Sequence, residues 1–327
     1  SLGLRYDRYW VNDRESDDAD LNNGVLVPRV SAMVKLKPEL RFRLGYARGY
    51  RAPQVFNEDL HIELVNATRV HTFNSDDLKQ ETSDAFTASL NAVFGMGSSY
   101  HDILVEGFYT SLNDPFANQY YPLDDEGNFA YMRVNAEDGA SVAGVNLEWK
   151  SFIMEKLETQ LGFTFQRNRY ESAQAWGNDD GSVSKSFIRT PERYGYATFI
   201  WRPSHHFNTT LSFTYTGPMS VPHFGLNPGD FEDDEKQAVE DAIARGDVIE
   251  GELLKKSAQF LTTDFLLSYD LHLTDETTIQ FYAGVKNIFN RIQKDYDRGV
   301  YRDASYIYGP SQHRTINFGV RFGNLFY

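Results

Sequence analysis

Twelve stretches of this chain alternate apolar and polar residues with a period of two, and the connections between them are short and long in turn. Successive side chains of an extended strand point to opposite sides, so such a stretch presents one apolar and one polar face. The last stretch shows this best. Ile316, Phe318, Val320, Phe322 and Phe326 share one face with Asn324, and Asn317, Gly319, Arg321, Gly323 and Leu325 share the other. One face suits hydrocarbon and the other suits water.

Strands are expected at 1–10, 28–37, 39–50, 81–94, 100–110, 139–153, 157–170, 190–202, 206–217, 258–272, 277–287 and 313–326. In 100–110 and 190–202 both faces carry bulky residues and the register is ambiguous. Short turns fall at Lys37-Pro38, Gly95-Met96-Gly97-Ser98, Met154-Glu155-Lys156, Pro203-Ser204-His205 and Thr274-Asp275-Glu276. Long loops rich in Asp, Asn, Gly and Pro fall at 11–27, 51–80, 111–138, 171–189, 218–257 and 288–312. Outer-membrane barrels have short periplasmic turns and long extracellular loops, whereas a soluble sandwich has no reason to put every long loop at one end. The expected fold is therefore all-β, an antiparallel up-and-down transmembrane β-barrel, with residues 1–327 forming one barrel domain and both ends on the periplasmic side.

Composition agrees. Aromatic residues make up 15% of the chain, charged residues 24%, and the mean hydropathy is −0.50. A barrel with a lipid-facing side, a wet interior and aromatic girdles needs that combination. No stretch approaches the roughly 18 consecutive apolar residues of a spanning helix. Cysteine is absent, which excludes disulfides and Cys-based metal sites, and a net charge of −14 argues against nucleic acid as a partner. No basic and apolar leader precedes the first strand, so an exported precursor is expected to be longer. Within loop 218–257, Glu232–Arg245 lacks Gly and Pro and carries its acids early and Arg245 late, which predicts a helix.

Three local patterns resemble TonB-dependent receptors of the Bacteroidetes type. They are Gly49-Tyr50-Arg51-Ala52-Pro53; the run Asn74-Ser75-Asp76-Asp77-Leu78-Lys79-Gln80-Glu81-Thr82-Ser83; and Gly284-Val285-Lys286-Asn287-Ile288-Phe289-Asn290, followed by Tyr301 to Pro310 and a closing aromatic strand. Ser75 and Gln80 stand where that family has prolines, and Tyr327 follows the Phe that usually ends the barrel. The resemblance implies the last twelve strands of a barrel of about 22 strands around an N-terminal plug. Plug and TonB box would lie upstream of this chain. It further implies an outer-membrane active-transport receptor in contact with lipid, the plug, the TonB complex and, as a further partner, a surface lipoprotein. An outer-membrane enzyme, an adhesin barrel and a soluble carbohydrate-binding sandwich are the competing readings.

No persuasive catalytic set is present, and no Gly-x-Ser-x-Gly elbow occurs. His205-His206 sits in a short turn. His61 and His71 lie between the first two motifs, where haem receptors of this family carry a His; imidazole is a natural axial ligand of haem iron. Haem, a corrinoid and a ferric siderophore all remain open as the transported ligand, and no covalently bound cofactor is expected. Tyr120, Tyr121, Phe129, Tyr131, Trp176 and Phe224 are loop aromatics suited to stacking on a ligand, or to the outer girdle. Arg51, and Arg302 with Asp303, are expected to pair near the rim, holding the loop base or touching the plug.

Overall fold

The structure, a computed structural model, describes the chain except residues 12–20, 54–70, 123–128, 178–181, 275–276 and 324–327. Twelve strands form one antiparallel sheet: β1 (Leu2–Val11), β2 (Leu21–Lys37), β3 (Leu40–Arg51), β4 (Glu81–Met96), β5 (Ser99–Asn113), β6 (Ala140–Ile153), β7 (Leu157–Tyr170), β8 (Arg193–Ser204), β9 (Phe207–Thr216), β10 (Phe260–Thr274), β11 (Thr277–Lys286) and β12 (Thr315–Gly323). Each pairs with its sequence neighbours, in the order β1 to β12, and among the described residues no pairing joins β12 back to β1. The sheet is an open arc, the layout of a barrel wall and not of two packed sheets.

Register joins the alternating stretches into one continuous apolar wall. Phe318 stands opposite Ala283, Ala283 opposite Leu267, Leu267 opposite Thr209 and Leu211 opposite Phe199. Further round, Leu161 meets Trp149, Trp149 meets Ile103, Val105 meets Leu90, and Leu90 meets Phe42. The two ambiguous strands are settled by their neighbours. Ile103, Val105 and Tyr109 of β5, and Ala197, Phe199 and Trp201 of β8, share the outward face. Ile316, Phe318, Val320 and Phe322, outward on the last strand of the sheet, are 61–85% exposed. Outward aromatics gather in two belts. Phe94, Trp149, Trp201, Phe207 and Tyr269 lie toward the short turns; Trp10, Tyr46, Phe86, Tyr109, Phe165 and Tyr215 lie toward the long loops.

The opposite face is wet and cross-linked. Asn91 donates to Asp102 (2.5 Å), Asn146 to Glu106 (3.1 Å), Thr164 to Asn146 (2.9 Å) and Gln280 to Asp270 (2.9 Å). Glycines here leave room for tyrosine rings that lie flat on the sheet: a Cβ at Gly162 would fall 2.4 Å from the Tyr196 ring.

Most strand ends fall within three residues of the expected bounds. β2 starts at Leu21, not residue 28, with Leu21 opposite Val11 and Asn23 opposite Tyr9. Polar Asn22, Asn23 and Gly24 look like a loop, but a ladder projecting into water needs only backbone donors and acceptors, so polarity does not end it. The turns at 38–39, 97–98, 154–156 and 205–206 overlap the expected ones, the first and last displaced by one or two residues and the second shortened; that at 275–276, and Phe326 and Tyr327, lie outside the described residues. The helix appears as α1 (Asp233–Arg245), with Asp233, Asp234 and Glu235 in its first turn and Gly246 closing it at φ 73°.

Candidate extracellular ligand site

Long loops at one end of the arc fold on themselves. The best-built part starts at the end of β11, where Asn287 and Asn290 adopt left-handed backbone (φ 47° and 49°), which Asn tolerates better than most residues. The buried Asn287 side chain donates to Arg291 O and Gln312 O (2.9 Å each) and accepts from Arg291 N (2.8 Å), so both ends of the loop are tied to one amide.

Beyond it, Gln293, Asp295 and Asp297 alternate, and each organises part of 303–309. Gln293 Oε1 accepts from Tyr308 N and Gly309 N, and its amide donates to Tyr306 O (2.8, 3.2 and 3.0 Å). Asp295 accepts from Tyr308 Oη (2.6 Å), Tyr306 Oη (3.1 Å) and Lys255 Nζ (3.1 Å). Asp297 pairs with His223 Nε2 (2.8 Å) and accepts from Asp303 N (3.0 Å). The strand Ser220–Phe224, paired with Glu252–Lys256, brings Val221 and His223 under this segment. Tyr306 and His223, each at most 1% exposed, stack at 3.7 Å and 6°, and Met219 and Val221 complete a small apolar core. Arg189 closes the assembly from loop 171–192, its guanidinium donating to Ile307 O (3.0 Å) and Ser305 O (2.7 Å).

Burial pushes the Tyr306 and Tyr308 phenols well above their ordinary 10.0, and the field and hydrogen bonds of Asp295 push them further. Burial also raises Asp295, but hydrogen bonds from Tyr308, Lys255 and Tyr306 outweigh it and hold the carboxyl below its usual range. A raised phenol stabilises the folded loop fully below pH 10 and loses that contribution as pH rises through the folded pKa; a lowered carboxyl contributes above its usual range and loses it as pH falls through the folded pKa. The contribution of the Tyr306, Tyr308 and Asp295 hydrogen bonds is thus expected to hold across the neutral range and to be lost as pH rises above about 10. Limited proteolysis of loop 288–312 between pH 7 and 11 checks this; an opening centred below pH 9 would contradict it.

The aromatic residues singled out in the sequence fall into two groups that adjoin. Trp176 and Phe224 face each other at 6.2 Å, and Phe224 N donates to Asp303 Oδ2 (2.9 Å). His71 lies on the strand His71–Asn74, paired in parallel with Phe129–Asn135, which pairs in turn with Phe116–Pro122; Tyr120 stands opposite Tyr131 and Phe129 opposite Pro122. The strand Gln174–Ala175 lies against Phe116–Pro122 and brings the groups side by side. His61 lies outside the described residues. Arg51 lies 5.1 Å from the Phe116 ring, tying the end of β3 to this small sheet. Arg302 and Asp303 do not pair with each other: Arg302 is exposed and donates to Gly299 O, while Asp303 is taken up by Phe224 N, Ser305 and the Asp297 contact. Arg189, His223, Gln293, Asp295 and Tyr306 were not singled out; the alternation Gln293-x-Asp295-x-Asp297 is the trace they leave in the sequence.

An outward apolar wall with two aromatic belts, a polar inner wall and structured loops at one end define a β-barrel of the outer-membrane receptor kind. Residues 1–288 match the family described as TonB dependent receptor-like, beta-barrel, and the chain belongs to that family. No curated protein matches the chain in sequence. Among solved structures, the copper transporter OprC superposes with a TM-score of 0.63 at 13% identity, covering 98% of this chain and 44% of its own. The FrpB iron transporter from Neisseria meningitidis gives 0.61 at 16% identity (98% and 42%). The ferric-catecholate import receptor Fiu from K12 E. coli gives 0.57 at 14% (92% and 35%). The chain therefore spans less than half the length of each of these proteins, and likeness at such identities concerns the fold.

Proposed function

We propose that the protein is an outer-membrane active-transport receptor that takes up a metal chelate with TonB-derived energy, and that these twelve strands form the second part of a wider barrel around a plug. The family match over residues 1–288 carries this reading. The open arc, with β1 and β12 each paired on one side only among the described residues, supports the wider barrel, since unpaired backbone in hydrocarbon costs several kcal/mol per group. Iron, ferric-catecholate and copper transport by the neighbours favours a metal-bearing ligand.

The chelate enters over the aromatic surface of Trp176, Phe224 and the strand carrying Tyr120 and Tyr121. Between Gly217 and Ser257 stand ten acidic against four basic residues, a field that favours a neutral or cationic chelate over an anionic one. A ferric siderophore of that charge is the preferred class, and haem and corrinoid are the alternatives. A deletion strain supplied in turn with haem, a corrinoid, ferric siderophores of differing charge and copper checks this. Expected is loss of uptake of one metal-bearing ligand, with uptake in the parent strain abolished by collapsing the proton gradient. Uptake that survives the collapse, or loss confined to ligands without a metal, would overturn it.

A further inference from the structure

A hollow of about 440 Å³ lies across β6, β7 and β8 toward the long-loop end, bordered by Ala143, Val145, Phe165, Arg167, Arg193 and Glu192. Register assigns it to the outward face. Phe165 stands between Val145 and Arg193, Ala143 stands opposite Arg167, and Arg167 continues the outward row Leu157, Leu161, Phe163, Phe165. The small side chain at 143, among longer ones, leaves the space. From Leu157 to Arg167 the strand advances ten residues. At roughly 3.3 Å per residue and a tilt of about 40°, this is a rise of about 25 Å, the height of a barrel's apolar band. Val145 and Phe165 therefore reach the upper edge of the hydrocarbon, and Arg167 and Arg193 reach the headgroup level.

Both arginine side chains are exposed, and neither makes a hydrogen bond or ion pair with another described residue. Arg169, two residues further along the same face, is in the same state. Two cations against one acid border the hollow, on a chain whose net charge is −14. Guanidinium forks match the oxygens of a phosphate, and an apolar floor directly beneath them matches an acyl chain.

We propose that this hollow binds a phosphorylated lipid of the outer leaflet, with its phosphate between Arg167 and Arg193 and an acyl chain along Val145 and Phe165. The site faces away from the lumen and does not depend on which chelate is transported. The test uses the protein extracted from outer membranes, delipidated and placed in phosphatidylcholine nanodiscs. Bisphosphorylated lipid A and the same lipid with its phosphates removed are titrated in and read by native mass spectrometry. The phosphorylated lipid is expected to bind roughly tenfold or more tightly than its dephosphorylated form. The double variant Arg167→Gln/Arg193→Gln should lose that preference, and Arg43→Gln, on the inward face, should keep it. Ala143→Trp, which fills the hollow and leaves both arginines, should weaken binding of the phosphorylated lipid and guards against a double variant that fails to assemble. Equal binding of the two lipids, or a preference untouched by both the double variant and Ala143→Trp, would overturn the proposal. So would displacement of the lipid by millimolar inorganic phosphate, which would mark a free-anion site.

Discussion

Leu147→Arg is expected to remove most of the assembled protein from the outer membrane, whereas Leu104→Arg leaves assembly near normal. The two leucines lie on adjacent strands and differ in face. Leu147 stands between Val105 and Phe163, in the middle of the apolar wall. Leu104 stands opposite Glu148 on the wet face, where a cation gains a carboxylate neighbour. An arginine at mid-depth on a barrel's lipid face costs about 2–4 kcal/mol, a large share of the stability of most folds. Heat-modifiable gel mobility of the full protein measures the assembled fraction. Equal loss from both substitutions would mean that the inward and outward faces have been assigned wrongly.

Tyr306→Ala is the second large effect, and it is confined to the loops. The ring is fully buried between His223 and the Met219–Val221 pair, and truncating such an aromatic typically costs about 3–5 kcal/mol. It also strands Asp295, which loses one of three donors. Loop 288–312 and the Ser220–Phe224 strand are expected to become rapidly exchanging in hydrogen–deuterium exchange, with chelate uptake falling while heat-modifiable assembly stays intact. Tyr306→Phe keeps the stack and loses one hydroxyl bond, a change of about 1 kcal/mol, so its loops should remain protected. If Tyr306→Ala left exchange unchanged, the loop core would not be what holds these loops.

Much of the wall was legible because a strand's chemistry repeats every two residues. Ile316, Phe318, Val320 and Phe322 declare their face without reference to any partner, and the turn at 154–156 and helix α1 declare themselves through local composition. β5 and β8 did not. With bulky residues on both sides, their faces follow only from pairing with β6 and β7, because a register shift of one residue reverses every side chain. The start of β2 was misplaced for the opposite reason: a strand in water on both faces carries no hydrophobic signal.

The loop site was legible as a set of suitable residue types and no further. Trp176, Phe224 and the Tyr120-Tyr121 pair were identifiable as loop aromatics, but which of the segments that carry them adjoin is a matter of tertiary contact. His223 finds Asp297 across 74 residues, and Arg189 reaches Ser305 across 116. No periodicity spans such distances. By itself the sequence determined which residues face lipid on most strands, where the chain turns and where it becomes helical, since backbone geometry alone sets those patterns. The tertiary structure decided the register that merges twelve apolar rows into one wall, the hollow beside Arg167, and the buried stack of Tyr306 on His223. Those depend on which distant segments the wall brings together, and burial rewards the pairing only once they have met.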